Sequence, residues 1–260
     1  FSACLSFREG WMYNAGLTSI TALNTIVSTS VTGANNSMFS GCKSLGNLDD
    51  IPTAFWEGWG SVTHVSNLFT NVGASIAGGV NPPNFGNATF GSSITFQSMF
   101  QNARFNANVD TSNFDMSSLS GGTANSGAIK EMFYLSDGIT SVDGSGWAMS
   151  ANGFKTMRGA FRDSEITSVD LSDTNNDFSA LISMQDAARG NITSFAWPSN
   201  ADFSSLTTAT NFCLASHQPM TTAQYDNFLT RIDATNSNTG VTYSMGSCTY
   251  TGGGAVATAR

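Results

Sequence analysis

The chain has 260 residues and a mass of 27.3 kDa, a length that accommodates one or two domains and a large core. Ten Lys and Arg stand against 18 Asp and Glu, giving a net charge of −8 and a pI near 4.5, so there is no basic footprint for a phosphate backbone, and no run approaches the roughly 18 consecutive apolar residues of a membrane-spanning helix. Charged residues make up only 11%, against about 25% in ordinary globular domains, and Ser (36), Thr (29), Asn (24) and Gly (26) take their place, a surface chemistry expected of secreted or virion-exposed proteins.

Self-similarity organises the chain from its first residue. Phe1-Ser2-Ala3-Cys4-Leu5 is echoed by Phe39-Ser40-Gly41-Cys42-Lys43, and the same Phe returns in Leu68-Phe69, Met99-Phe100, Met132-Phe133, Ala160-Phe161 and Asn211-Phe212, with Ala188 in the equivalent place in Ala187-Ala188. The steps between these anchors vary between 24 and 38 residues, as expected where loops take insertions around a constant core. Apolar residues stand four before the anchor (Val65, Phe96, Ile129, Met157, Met184) and in places seven before it (Val62, Phe154, Leu181). Offsets of −7, −4, −1 and 0 line one face of a helix, so about two turns of amphipathic helix are predicted in each repeat. Such a helix is too short to stand alone in water.

A second element follows each anchor. Ile139-Thr140-Ser141-Val142-Asp143, Ile166-Thr167-Ser168-Val169-Asp170 and Ile192-Thr193-Ser194-Phe195-Ala196 read as short strands, with weaker versions at 17–20, 45–48 and 105–109. Stacked in parallel, they put Thr140, Thr167 and Thr193 in one row and Asp143 and Asp170 in another. Those five side chains are candidate ligand contacts; the competing reading is that short polar residues merely let adjacent coils approach.

The pattern Met-x-x-Met-Phe or Leu-Phe, a small-residue turn, and then (Ile/Leu)-Thr-Ser-Val-Asp resembles BspA-like leucine-rich repeats, which occur in bacterial surface proteins, mycoplasma lipoproteins and some phage tail proteins. The resemblance covers roughly residues 1–215, is clearest from 94 to 197, and departs at Ala188 and at the insertion around 78–93. It implies an α/β solenoid, a right-handed coil of short parallel strands and short helices, with a recognition or adhesion surface and no catalytic residues. The solenoid is expected over 1–218 and a small C-terminal α+β cap over 219–260. The cap would consist of a helix from Thr221 or Thr222, with the stripe Tyr225, Phe228, Leu229 and Ile232, followed by a strand or hairpin from Val241. The start inside a repeat and the end inside a helical pattern predict a piece cut from a longer chain.

Candidate chemistry is sparse. Cys4 and Cys42 hold equivalent places in consecutive repeats, and strand spacing of about 4.8 Å suits either a disulfide or two buried thiols. Cys213 and Cys248 are a less constrained pair. His64 and His217 lack partners at metal-ligand or triad spacing. Asp49-Asp50, Asp143 and Asp170 are the carboxylates that a glycoside hydrolase would need. Asp173, Asn175 and Asp177 alternate as in calcium loops but lack the glycine and the closing Glu. Trp56 and Trp59, in an inserted loop, are read as exposed rings for sugar or protein contact, the alternative being that they plug the insertion onto the core. These observations predict a non-enzymatic surface module on a virion or outside the cell. The leading reading is a phage tail-fibre or receptor-binding protein meeting a host glycan or envelope protein. The alternatives are a bacterial adhesin and a structural subunit of a virion or filament. No cofactor, nucleic acid or membrane insertion is implied, and homo-oligomerisation is left open.

Overall fold

β-Branched residues alternating with hydroxyls make three short strands: β1 (Ser141–Asp143), β2 (Ser168–Asp170) and β3 (Ser194–Ala196). They form a parallel sheet in that order, with Val142 beside Val169 and Val169 beside Phe195. All three of those side chains are buried. This is a computed structural model, and it describes residues 16–20, 36–88, 90, 95–117, 119, 123–125, 127–149, 153–212, 220–238, 241–244 and 248. The remaining elements are α1 (Thr53–Glu57), β4 (Thr208–Ala209), α2 (Thr222–Thr235) and β5 (Thr242–Tyr243), with β4 and β5 paired in parallel.

Among the described residues the helices expected before the anchors are absent: these segments are ribbons of overlapping turns. Around Phe100, the amides of Met99, Gln101 and Ala103 donate to the carbonyls three residues back, at Phe96, Ser98 and Phe100. The amides between them, on Phe96, Ser98, Phe100 and Asn102, donate to Ala128, Lys130, Met132 and Tyr134 in the next copy of the motif. A helix would send every amide along its own chain; here alternate amides leave it. The same alternation joins Asn67, Phe69 and Asn71 to Gln97, Met99 and Gln101, then Glu131, Phe133 and Leu135 to Arg158, Ala160 and Arg162, then Gly159, Phe161 and Asp163 to Gln185, Ala187 and Arg189. The −4, −1, 0 apolar pattern remains, because the ribbon also turns those positions inward: Phe96, Met99 and Phe100 are wholly buried.

The turns demand left-handed backbone two residues before and two after the anchor. Before it stand Ser37, Asn67, Ser98, Glu131, Gly159 and Asp186, all with φ between 55° and 61°. After it stand Gly41, Asn71, Asn102, Leu135 and Asp163. Gly, Asn and Asp accept this region readily, whereas a branched side chain without local hydrogen bonding does not. Leu135 is therefore out of character, at φ 58°, and it is the large apolar side chain most open to solvent among the described residues, 39% exposed.

Stacked ribbons stack their rings. Phe39, Phe69, Phe100, Phe133 and Phe161 form a continuous ladder with centroid spacings of 5.6, 5.6, 5.2 and 5.8 Å and interplanar angles of 18° or less. At Ala188 the ladder lacks a ring, and Phe195 fills the space from the strand side, 5.9 Å from Phe161 and 5.3 Å from Phe212. In the other strands that register position holds the smaller Val142 and Val169, so a large residue on the strand offsets a small one on the ribbon.

After the last ribbon comes α2, opened by a capping box in which Thr221 Oγ1 accepts from Gln224 N and Gln224 Oε1 accepts from Thr221 N. It buries Tyr225, Phe228, Leu229 and Ile232. Phe228 stacks on Trp197, with 5.7 Å between centroids, while Asn236 Nδ2 donates to the carbonyls of Phe203 and Leu206. The segment thus covers apolar surface and carbonyls of the preceding coil.

Phe133→Ala removes a ring with neighbours on both sides of the ladder and should lower the unfolding free energy by about 3–5 kcal/mol in urea titration. Leu135→Asn should raise stability, by about 0.5–1 kcal/mol, because it relieves a left-handed leucine that gains little from burial.

Candidate ligand-binding surface

The strand face is built by a repeated fork of hydrogen bonds. The carbonyl of Thr140 accepts from Thr167 N at 2.8 Å, from Ser168 N at 3.3 Å and from Thr167 Oγ1 at 3.1 Å. One coil further on, the carbonyl of Thr167 accepts from Thr193 N, Ser194 N and Thr193 Oγ1 at 2.9, 3.1 and 3.3 Å. Each threonine hydroxyl therefore helps to tie its coil to the previous one. Thr140, Thr167 and Thr193 lie in one exposed row.

At the first rung the carbonyl is replaced by a side chain. Asn108 Oδ1 accepts from Thr140 N at 2.7 Å, Thr140 Oγ1 at 3.2 Å and Ser141 N at 3.2 Å, and its Nδ2 donates to Ser141 Oγ at 2.9 Å. Sequence reasoning passed over this residue; its signal was an Asn within the weak strand motif at 105–109. A parallel row of amides and a carboxylate runs nearby, Asn106 Nδ2 donating to Asn81 Oδ1 and Asn81 Nδ2 to Asp49 Oδ2.

Asp143 and Asp170 are exposed and directly paired in register. Each spends one carboxylate oxygen on its own turn: Asp143 Oδ1 accepts from Ser145 N and Asp170 Oδ1 from Ser172 N, both at 2.9 Å. Asp173 and Asp177 do the same for Asn175 and Ser179, at 2.7 and 2.8 Å. These are Asx-turns, in which the acid stands in for a backbone acceptor. Among the described residues no group of three or more His, Cys, Asp or Glu is placed to hold a metal ion.

The tryptophans require a correction. Trp56 and Trp59 are wholly buried, so they present no ring to a ligand. The insertion folds back as α1 and closes over the core: Trp56 packs edge-on against Phe39, Phe69 and Phe85, and Trp59 against Trp56 and Phe90. Trp147 is buried too, its Nε1 donating to the Thr111 carbonyl at 3.0 Å. Cys42 is wholly buried, but Cys4 lies outside the described residues, as do Cys213 and His217. His64 Nδ1 lies 3.1 Å from Thr63 Oγ1.

Comparison with protein-family models, with curated proteins and with solved structures found no match in any of the three.

Asn108→Ala strips the acceptor from two backbone amides at the first rung. Amide hydrogen exchange at Thr140 and Ser141 should speed up selectively, and global stability should fall by about 1 kcal/mol.

Proposed function

We propose that the chain is a stacked-coil solenoid of the leucine-rich-repeat kind, resembling BspA-like repeats, and that its strand face is a non-enzymatic recognition surface on a virion or outside a cell. The role that fits best is that of a phage tail-fibre or receptor-binding module contacting a host glycan or envelope protein. One observation carries this reading: exposed Thr140, Thr167 and Thr193 each immediately precede strands that pair in register, with Asp143 and Asp170 side by side on two of them, and the backbone there is tied coil to coil. Side chains held in rows on a rigid sheet lose little conformational freedom when they meet a partner, which favours binding by a surface of modest individual contacts. The two carboxylates each hold a turn amide, an arrangement that supports a positioning role for them over bond-breaking chemistry. Hydroxyl and amide groups in place of charges also suit a surface that must stay soluble outside the cell without drawing in polyanions.

The test is binding of labelled full chain to host-cell envelopes and to a glycan array. Asp143→Arg with Asp170→Arg should reduce retention at least tenfold; each change also strips the acceptor from a turn amide and should cost about 1 kcal/mol of stability, so binding is read well below the unfolding midpoint. Wild-type protein that binds no envelope or glycan, or a double variant that binds as well as wild type, would overturn the reading.

A further inference from the structure

A cleft of about 530 Å³ lies where the coil carrying Lys155 meets the next two coils and the segment after α2. Its lining divides by chemistry. Ala180 and the half-buried Ile182 supply apolar surface, and the polar groups come from Lys155, Ser179, Ser204, Ser205, Thr207 and Asn238.

Some of these polar groups are already committed within the fold. Thr207 Oγ1 donates to the Ile182 carbonyl at 3.1 Å, Ser204 Oγ to the Ser179 carbonyl at 3.4 Å, and Asn238 Nδ2 to the carbonyls of Ser204 and Leu206. Others are not. Among the described residues the Lys155 ammonium has no carboxylate within 4.0 Å and no hydrogen-bond partner, although its backbone carbonyl accepts from Ile182 N and Ser183 N, which fixes the main chain there. Of the other cations on these coils, Arg162 and Arg189 are paired with Asp163, Arg189 also with Asp186, and Arg158 Nη1 donates to Asn125 Oδ1 at 3.0 Å. Asp177 and Asp202, each two residues before a serine that lines the cleft, direct an oxygen to a turn amide, at Ser179 N and Ser204 N. The Ser179 and Ser205 hydroxyls and the Asn238 side-chain carbonyl likewise make no bond to the described residues, leaving two hydroxyls and an acceptor facing the cleft beside a half-buried cation.

We infer that this cleft binds a carboxylated sugar, a hexuronate unit of an acidic glycan. The inference rests on the recognition reading above and names both a ligand class and a second place for it. A pyranose uronate presents one carboxylate, several hydroxyls that both donate and accept, and an apolar face of C–H groups. The cleft offers one ammonium, hydroxyls and an amide oxygen of matching character, and a small aliphatic wall. A single lysine is a point charge without the fork that holds a phosphate or sulfate bidentately, and among the described residues no arginine lines the cleft, so the singly charged carboxylate is the better match.

The full chain is titrated calorimetrically with trigalacturonate, with its methyl ester, in which the charge is removed and the hydroxyls are kept, and with trigalacturonate at raised salt. The acid should bind at least tenfold more tightly than the ester and lose affinity with salt, and Lys155→Gln should abolish the difference. Ser205→Ala should weaken both forms without removing the preference for the acid. Equal binding of acid and ester, no binding of either, or an unchanged preference in Lys155→Gln would each overturn the assignment. The two readings separate cleanly. Envelope binding that is lost in Asp143→Arg with Asp170→Arg keeps the strand face whatever the cleft binds, and the trigalacturonate titration alone decides the cleft. Failure of all envelope binding removes the recognition role, while the trigalacturonate titration still decides the cleft.

Discussion

The structure depends on how the ribbon disposes of its backbone amides. In each copy, alternate N–H groups close a turn on their own chain and the rest bond to the copy that follows, as around Phe100, where Met99 and Gln101 turn inward along the chain and Phe100 and Asn102 reach to Met132 and Tyr134. No copy can satisfy its main chain alone, because half of its donors need the neighbour's carbonyls. The same alternation fixes the spacing at which anchor residues meet, and the rings of Phe39, Phe69, Phe100, Phe133 and Phe161 fall into one stack as a consequence. Hydrogen bonding and packing thus enforce a single register.

That constraint explains both the composition and its exceptions. Left-handed backbone is needed at two places in each ribbon, and Asn, Asp, Ser and Gly supply it at little steric cost, which accounts for part of the unusual content of small polar residues. Further Asp and Asn residues recur at the start of loops, where Asp110, Asp115, Asp143, Asp170, Asp177 and Asp202 each accept from the amide two residues on. Much of the negative charge therefore serves turn formation. Where the ribbon departs from its own pattern, volume is restored from another element: Phe195 answers Ala188, and the Trp56–Trp59 insertion is packed into the core it interrupts.

A rigid stack presents its outward residues in rows, and two different surfaces result. On the strand face the threonine hydroxyls are half-spent, each tied to the carbonyl of the coil before it, and the aspartates hold turns with one oxygen while leaving the other outward. Near α2 the coils part enough to leave a cleft in which Lys155 faces hydroxyls. The first presents exposed hydroxyls and carboxylates in rows, and the second is an open cleft with one ammonium among hydroxyl-bearing residues.

The sequence by itself determined the recurring anchors, the strands at Ser-Val-Asp and the helix after Thr221, because each is written in local periodicity or in a capping pattern of adjacent residues. It also placed Asp143 beside Asp170, since identical motifs stacked in parallel must align. Only the tertiary structure decided that the segment before each anchor is a turn ribbon. The apolar offsets of a two-turn helix and of this ribbon coincide, and the choice between them rests on amides that bond to residues of another copy, far away in sequence. The same holds for Trp56 and Trp59: a tryptophan in an insertion carries no local mark of burial, and whether the loop folds outward or back depends on the space left between Phe39, Phe69 and Phe85. The roles of Asn108, which stands in for a missing carbonyl, and of Lys155, which stands without a counter-charge, are likewise set by neighbours that no local pattern reveals.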